Sequence, residues 1–408
     1  MMMNTTPRES SSGKGRRLRT TIAVSAAAVL VASMVAAGAL VRATAVPAEA
    51  VDAASAALET RMQSLVDAGY PAALASITQP DGETYDAAVG TADLATGTPP
   101  PVDGEVRIAS NTKMFVATIV LQLVDEGRID LDAPIDTYLP GLIAGDGIDG
   151  ARITVRQLLQ HTSGLPEYAD QIAADAFAAQ KRYISPRDML EIALTRPAVF
   201  EPGARWEYSN TNYLVLGLLI EAVTDRALAQ QIDERIAAPL GLEHTYLPSP
   251  GEWMLRGEHP VGYHAQTPGD LRDISEMDTS FAWAAGAMVS TPRELNTFMS
   301  ALVGGELLSD TALALMQTTV PAGDELWPDG AYGLGLQSWH LSCGGLAWGH
   351  GGDIPGTQTR NAVGPDGTAV TIAVTALPWA VVSPDDHEAL LEQYRIVVDA
   401  LDATLCAS

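Results

Sequence analysis

Ser110 and Lys113 stand three residues apart in Arg107-Ile108-Ala109-Ser110-Asn111-Thr112-Lys113, at the head of an apolar run, Asn111–Glu126, that stops at Gly127. Positions i and i+3 of a helix share a face, so a hydroxyl and an amine at this spacing can meet. The serine would lie at the positive end of the helix dipole, where an oxyanion is favoured. A lysine desolvated against so apolar a helix loses affinity for its proton and becomes able to take one from the serine. Taken alone the pattern is weak. Ser-x-x-Lys arises by chance about once in a chain of this length, and a helix cap beside a surface lysine explains it equally well.

Two later segments add chemistry. Trp206-Glu207-Tyr208-Ser209-Asn210 precedes another apolar helix and offers a phenol, to relay a proton, and an amide, to hold a substrate. Trp348-Gly349-His350-Gly351-Gly352-Asp353 lies before a β segment, and its small residues would let a substrate backbone approach closely. Other candidates have plainer readings. His161 reads as a capping or core histidine, and His259 and His264, five apart, read as loop residues rather than zinc ligands. Trp283 and Trp348 suit a pocket wall or the core, and Met288 and Met299 suit core filling. No Gly-x-Ser-x-Gly elbow accompanies any serine, which disfavours a lipase-like hydrolase.

The elements that must position these residues come from both ends of the chain. After a helix over 53–69, strands over 72–79 and 84–90 flank Pro80-Asp81-Gly82, a hairpin signal. Pro365-Asp366-Gly367 repeats the signal ahead of a β-branched run over 368–377. The middle is helical: Thr154 opens 155–161, Ser185-Pro186 opens 187–194, an apolar helix covers 211–223, and Thr291 opens a further one to Leu302. A terminal helix is expected over 384–405. The pattern predicts an α/β fold, an antiparallel sheet flanked by helices, with residues 51–120 and 285–408 forming the α/β part, 121–284 a mostly helical insertion, and the site between them.

Composition narrows the classes. Of 408 residues 47% are hydrophobic and 18% charged, as in a globular chain, and the formal net charge of −26 repels nucleic acid. The first fifty residues read as an export signal: Lys14, Arg16, Arg17 and Arg19, an uncharged run from Thr20 to Val41, then Ala48-Glu49-Ala50 as a cleavage site before Val51. An uncleaved membrane anchor is the alternative, since about 20 apolar residues can span a bilayer. Either way the body is expected outside the membrane, secreted if the signal is cut. Its two cysteines, Cys343 and Cys406, then read as a disulfide.

In order and spacing the three motifs resemble Ser-x-x-Lys, Tyr-x-Asn and Lys/His-x-Gly of the penicilloyl-serine superfamily, the β-lactamases and penicillin-binding proteins. Leu121-Gln122-Leu123-Val124-Asp125-Glu126-Gly127, Ile153–Leu159 with His161-Thr162-Ser163-Gly164-Leu165, and Tyr332-Gly333-Leu334-Gly335-Leu336 extend the likeness from about Ala53 to Cys406. It is strongest to secreted serine D-alanyl-D-alanine carboxypeptidases, including their disulfide. The resemblance implies Ser110 as nucleophile, Lys113 and Tyr208 as the proton-transfer pair, Asn210 on the substrate amide, and His350 on a strand edge by the leaving group. It puts the oxyanion between the N–H groups of Ser110 and Asp353. Gly351 and Gly352, by their small size, and Trp283, by its type, are expected near the substrate. The resemblance requires no cofactor or metal, and a monomer acting on a small peptide, ester or β-lactam is expected.

Two positions depart from the carboxypeptidase pattern. Gln337 stands where an arginine, and Gly351 where a threonine, would hold a substrate carboxylate, and a neutral amide cannot replace a bidentate guanidinium. Arg360 is the one nearby cation, and reads as a solvated strand arginine. D-Ala-D-Ala carboxypeptidase is the first expectation; a family esterase, a D-amino-acid amidase or peptidase, or a β-lactamase is the alternative. A non-catalytic peptidoglycan-peptide binder is the remaining one.

Overall fold

Two Pro-Asp-Gly turns set the sheet. In the computed structural model, which describes residues 48–172, 175–323 and 329–407, the first turn joins Ala72–Thr78 to Thr84–Gly90 and the second joins Thr357–Val363 to Ala369–Val374, both pairs antiparallel. Gly82 and Gly367 supply the left-handed backbone, with φ of +90° and +93°. Ala73–Thr78 pairs with Ala369–Val374, so the chain's two ends meet inside one sheet of eight strands. From edge to edge these are Thr84–Gly90, Ala72–Thr78, Ala369–Val374, Thr357–Val363, Leu346–Ile354, Gln337–His340, Ala331–Tyr332 and Val320–Pro321.

Helices cover both faces because the central strands are buried on both. Ala48–Asp67 and His387–Leu405 share one apolar cluster with the sheet, through Leu58, Met62, Leu65, Val397 and Leu401 against Ile372 and Val374. On the opposite face Pro292–Val303 presents Leu295, Phe298 and Leu302, and Phe298 stacks on Phe115 of the central helix Thr112–Asp125. That central helix has eleven buried residues out of fourteen. Each fully buried Leu, Ile, Val or Phe contributes about 1.5–3 kcal/mol, so this helix is fixed from all sides and anything on it is held rigidly.

The expected helix starts at Thr154, Ser185 and Thr291 hold: each side chain accepts a backbone N–H three residues on, with a full Thr154–Gln157 capping box. Two helices are shorter than expected. Val155–Leu159 stops early because His161 takes a left-handed φ of +59°, and the terminal helix begins at His387, capped by Asp386 rather than at Pro384. The Gly-rich segment expected to precede a strand is itself the strand Leu346–Ile354. Its neighbour Gln337–His340 pairs only as far as Gly349, so among the described residues His350–Ile354 has no strand partner on that side. The expected export signal lies outside the described residues up to Pro47, and its cleavage site falls in the first turn of Ala48–Asp67.

Cys343 and Cys406 form a disulfide, Cα atoms 5.7 Å apart, tying the turn after Gln337–His340 to the end of the terminal helix. It closes a loop of 63 residues, for which chain entropy gives about 4 kcal/mol. Reducing agent is therefore expected to lower the denaturation midpoint of the wild type and to leave a Cys343→Ser/Cys406→Ser protein, already at the lower value, unmoved; equal midpoints would refute the contribution.

Candidate active site

Ser110 sits in a 3-10 turn, Ala109–Asn111, that leads directly into Thr112–Asp125. Ala109 has φ +47°, a conformation costing an alanine on the order of 1–2 kcal/mol, which surrounding bonds must hold. Thr112 Oγ1 donates to Ala109 O at 2.7 Å, and Asn111 Nδ2 donates to Ile108 O at 2.8 Å and Thr359 Oγ1 at 2.6 Å, lashing the turn to the sheet. Gly352 must lack a side chain here, because a Cβ would stand 2.2 Å from Ile108 O.

The structure brings Ser110, Lys113, Tyr208 and Asn210 together. Lys113 Nζ is 3.0 Å from Ser110 Oγ, 2.8 Å from Asn210 Oδ1 and 2.6 Å from Ala285 O, and the Tyr208 hydroxyl donates to Ser110 Oγ at 3.0 Å. Lys113 is fully buried, and that desolvation pushes its amine down to about 7, with Glu167 pulling weakly the other way. As a neutral amine Lys113 has two N–H donors for Asn210 Oδ1 and Ala285 O, which leaves its lone pair facing Ser110. Burial pushes Tyr208 well above its usual value, so this phenol stays protonated. The pair can therefore draw the serine proton onto nitrogen while the phenol steadies the oxygen.

Glu167, which the sequence did not single out, fixes the Asn210 amide. Its Oε2 accepts from Asn210 N at 2.7 Å and Nδ2 at 3.1 Å, so Oδ1 must face Lys113. His350 belongs to a second buried array. Ser209 N and Asn212 Nδ2 both lie in donor positions to His161 Nδ1, at 3.3 and 3.0 Å. His161 Nε2 therefore carries the proton toward the Tyr332 hydroxyl at 3.2 Å, and Tyr332 donates on to His350 Nε2 at 3.0 Å. Nδ1 of His350 faces Gly351 O at 2.5 Å. Burial, reinforced by Lys113, lowers His350 to about 3 and His161 well below its usual value, so both rings are neutral. His161 is thus a core histidine, as expected, but one wired to the site.

A cavity of about 590 Å³ opens over Ser110 and Asn210. Tyr168, Phe281, Ile354, Leu377 and Trp379 give it apolar walls, and Asp175, His264 and Asp353 add polar ones. No lysine or arginine is among the described residues lining it. Trp283 is not there: it lines a separate cavity of about 380 Å³, and its ring packs against Gly217, where a Cβ would be 2.7 Å from it. Gln337 also stays off the wall, its Oε1 accepting from Gly351 N at 3.4 Å. That bond marks the free edge of the strand, and the two-residue period of a strand sends the Asp353 N–H to the same side. Arg360 corrects an expectation: it is 2% exposed, not solvated, because Asp353 pairs with it at 3.0 Å. His264, expected in a loop, lies in the short strand Tyr263–His264.

A family profile described as Beta-lactamase matches residues 54–395. The chain belongs to the beta-lactamase family. It is a serine hydrolase of that family, with the expected fold of an antiparallel sheet flanked by helices. A protein of Escherichia coli (strain K12), provisionally named D-alanyl-D-alanine carboxypeptidase, is 27% identical over 75% of this chain and 76% of its own. Among solved structures, a D-stereospecific amidohydrolase from Streptomyces sp. is 34% identical over 87% of this chain and 99% of its own, with TM-score 0.76. The D-amino acid amidase of Ochrobactrum anthropi SV3, complexed with L-phenylalanine amide, is 27% identical over the same shares, with TM-score 0.73.

If the neutral Lys113 amine takes the serine proton, acylation must require the form present above about 7. Acylation of Ser110 by a reactive ester, followed in the first turnover, is expected to fall about tenfold per pH unit below that value and to level off above it. A profile flat from about pH 5 to about pH 9 would exclude Lys113 as the base.

Proposed function

We propose that the protein is an acyl-enzyme hydrolase in which Ser110 is the nucleophile and Lys113 the base. One observation carries this: Ser110 Oγ stands 3.0 Å from both a buried amine and a half-buried phenol. Ser110 attacks the carbonyl as its proton moves to Lys113, and Tyr208 passes its own proton to the departing nitrogen or oxygen and takes back the one now on Lys113, which leaves both groups as they began. The N–H groups of Ser110 and Asp353 receive the oxyanion, each such donor lowering the barrier by roughly 3 kcal/mol. Asn210 orients Lys113 and the substrate amide. His350, neutral, keeps a second positive charge away from Lys113. Water then releases the acyl group.

For substrate we propose peptide or amide bonds of D-amino acids. The names of the relatives support that class, as carboxypeptidase for one and as D-specific amidohydrolase or amidase for others. Within it the cavity favours substrates whose leaving side is uncharged, because its described lining offers no cation to a terminal carboxylate and does offer Asp175 and Asp353. The apolar walls suit a bulky acyl side chain. We retain the division into 51–120 with 285–408 and 121–284, with the cavity between, as our reading of the domains. Export, by the N-terminal segment, is likewise our reading of where it works.

Purified protein and a Ser110→Ala control, incubated with a fluorescent penicillin, D-amino-acid amides, D-Ala-D-Ala peptides and short-chain esters, test this by intact mass and product release. The expected result is a Ser110 acyl adduct and Ser110-dependent turnover with the amides and esters, favoured by at least about tenfold over the carboxylate-terminated peptides and over the penicillin, itself a carboxylate. Preference for the carboxylate-terminated peptides would return the assignment to a carboxypeptidase. No Ser110-dependent reaction with any of them would favour the binding-protein reading.

A further inference from the structure

Asp353 and Arg360 lie diagonally across the hairpin formed by Leu346–Ile354 and Thr357–Val363, where Arg360 is opposite Gly351. Asp353 lines the cavity and its side chain is 33% exposed, whereas that of Arg360 is 2% exposed. The contact is bidentate: Arg360 Nη1 donates to Asp353 Oδ1 at 3.0 Å and Nη2 to Oδ2 at 3.3 Å. This fork-on-carboxylate geometry is the one by which proteins hold carboxylate ligands. Here the protein's own carboxylate fills the fork.

The guanidinium has supports that do not depend on Asp353. Nη1 also donates to Thr359 O at 2.7 Å, and Cζ lies 5.9 Å from the centre of the Tyr394 ring. Gly351 leaves the space it occupies, since a Cβ there would come within 3.1 Å of Nη1. An arginine so braced would keep its place if its partner were removed. It would then be the cation beside the cavity wall that the described lining lacks.

We propose that Asp353 is a specificity-determining residue whose carboxylate occupies the carboxylate site of Arg360, so that the enzyme accepts neutral amides and esters and excludes chains ending in a free carboxylate. The inference rests on the acyl-enzyme reading above. A substrate carboxylate would have to displace a tethered one, and Asp353, while in place, repels it. Removing the Asp353 side chain leaves its backbone N–H and hands Arg360 to the substrate.

The test compares wild type, Asp353→Ala and Asp353→Ala/Arg360→Met on one matched pair, N-acetyl-D-Ala-D-Ala and its C-terminal amide. The ratio of kcat/KM, acid over amide, is expected to rise at least about tenfold in Asp353→Ala and to fall back in the double variant. An unchanged ratio in a folded Asp353→Ala protein, or the same rise in the double variant, would overturn the proposal. Binding provides an independent readout in a Ser110→Ala background. N-acetyl-D-alanine, but not its amide, is expected to raise the melting temperature of Ser110→Ala/Asp353→Ala and not that of Ser110→Ala alone. If the wild type turns over neither peptide, the acyl-enzyme reading fails on its own account, and the melting shift alone decides whether Asp353 masks Arg360.

Discussion

A lysine amine with no access to water is the constraint around which this molecule is arranged. Placing Lys113 on Thr112–Asp125, a helix buried by the sheet-covering helix Pro292–Val303 and by the apolar helix Asn210–Thr224, withdraws water and lowers the amine to about 7. The cost of that burial is offset by Asn210 Oδ1 and Ala285 O, which satisfy its two N–H bonds. Those partners come from two other elements, so the helical middle must pack against the central helix for the amine to be both dry and satisfied. Glu167, which meets the first residue of Asn210–Thr224, then decides which end of the Asn210 amide the lysine meets.

The sheet does the complementary work. Its free edge, His350–Ile354, exists because Gln337–His340 stops pairing at Gly349, and the glycines there admit the serine turn on one side and Arg360 on the other. The neutral array from His161 through Tyr332 to His350 threads from the helical middle into this strand. It keeps two imidazoles uncharged beside the amine, where a cation would depress the lysine further.

Much of this was legible in the residues. The Ser110–Lys113 spacing and the apolar run after it imply a buried pair, and the Pro-Asp-Gly turns imply the two hairpins that bring both chain ends into one sheet. Glu167 was not legible, because its partner Asn210 lies 43 residues away on another element and a lone glutamate carries no pattern. Arg360 was misread for a related reason. A single arginine in a β run is usually solvated, and only the diagonal register across Ile354-Pro355-Gly356-Thr357 shows that Asp353 reaches it. Recognising that turn as a hairpin was the available signal. Trp283 had the right type for a pocket wall, but sequence cannot say on which side of its short helix a ring lies, and it packs toward Gly217.

The claim on which everything else turns is that Lys113 is neutral at the pH where Ser110 reacts. Titration of its Nζ by heteronuclear NMR, in the free protein with Lys113 assigned by a Lys113→Arg variant, measures this directly. The account predicts a midpoint close to 7; a Lys113 that stays charged to pH 9 or beyond would contradict it.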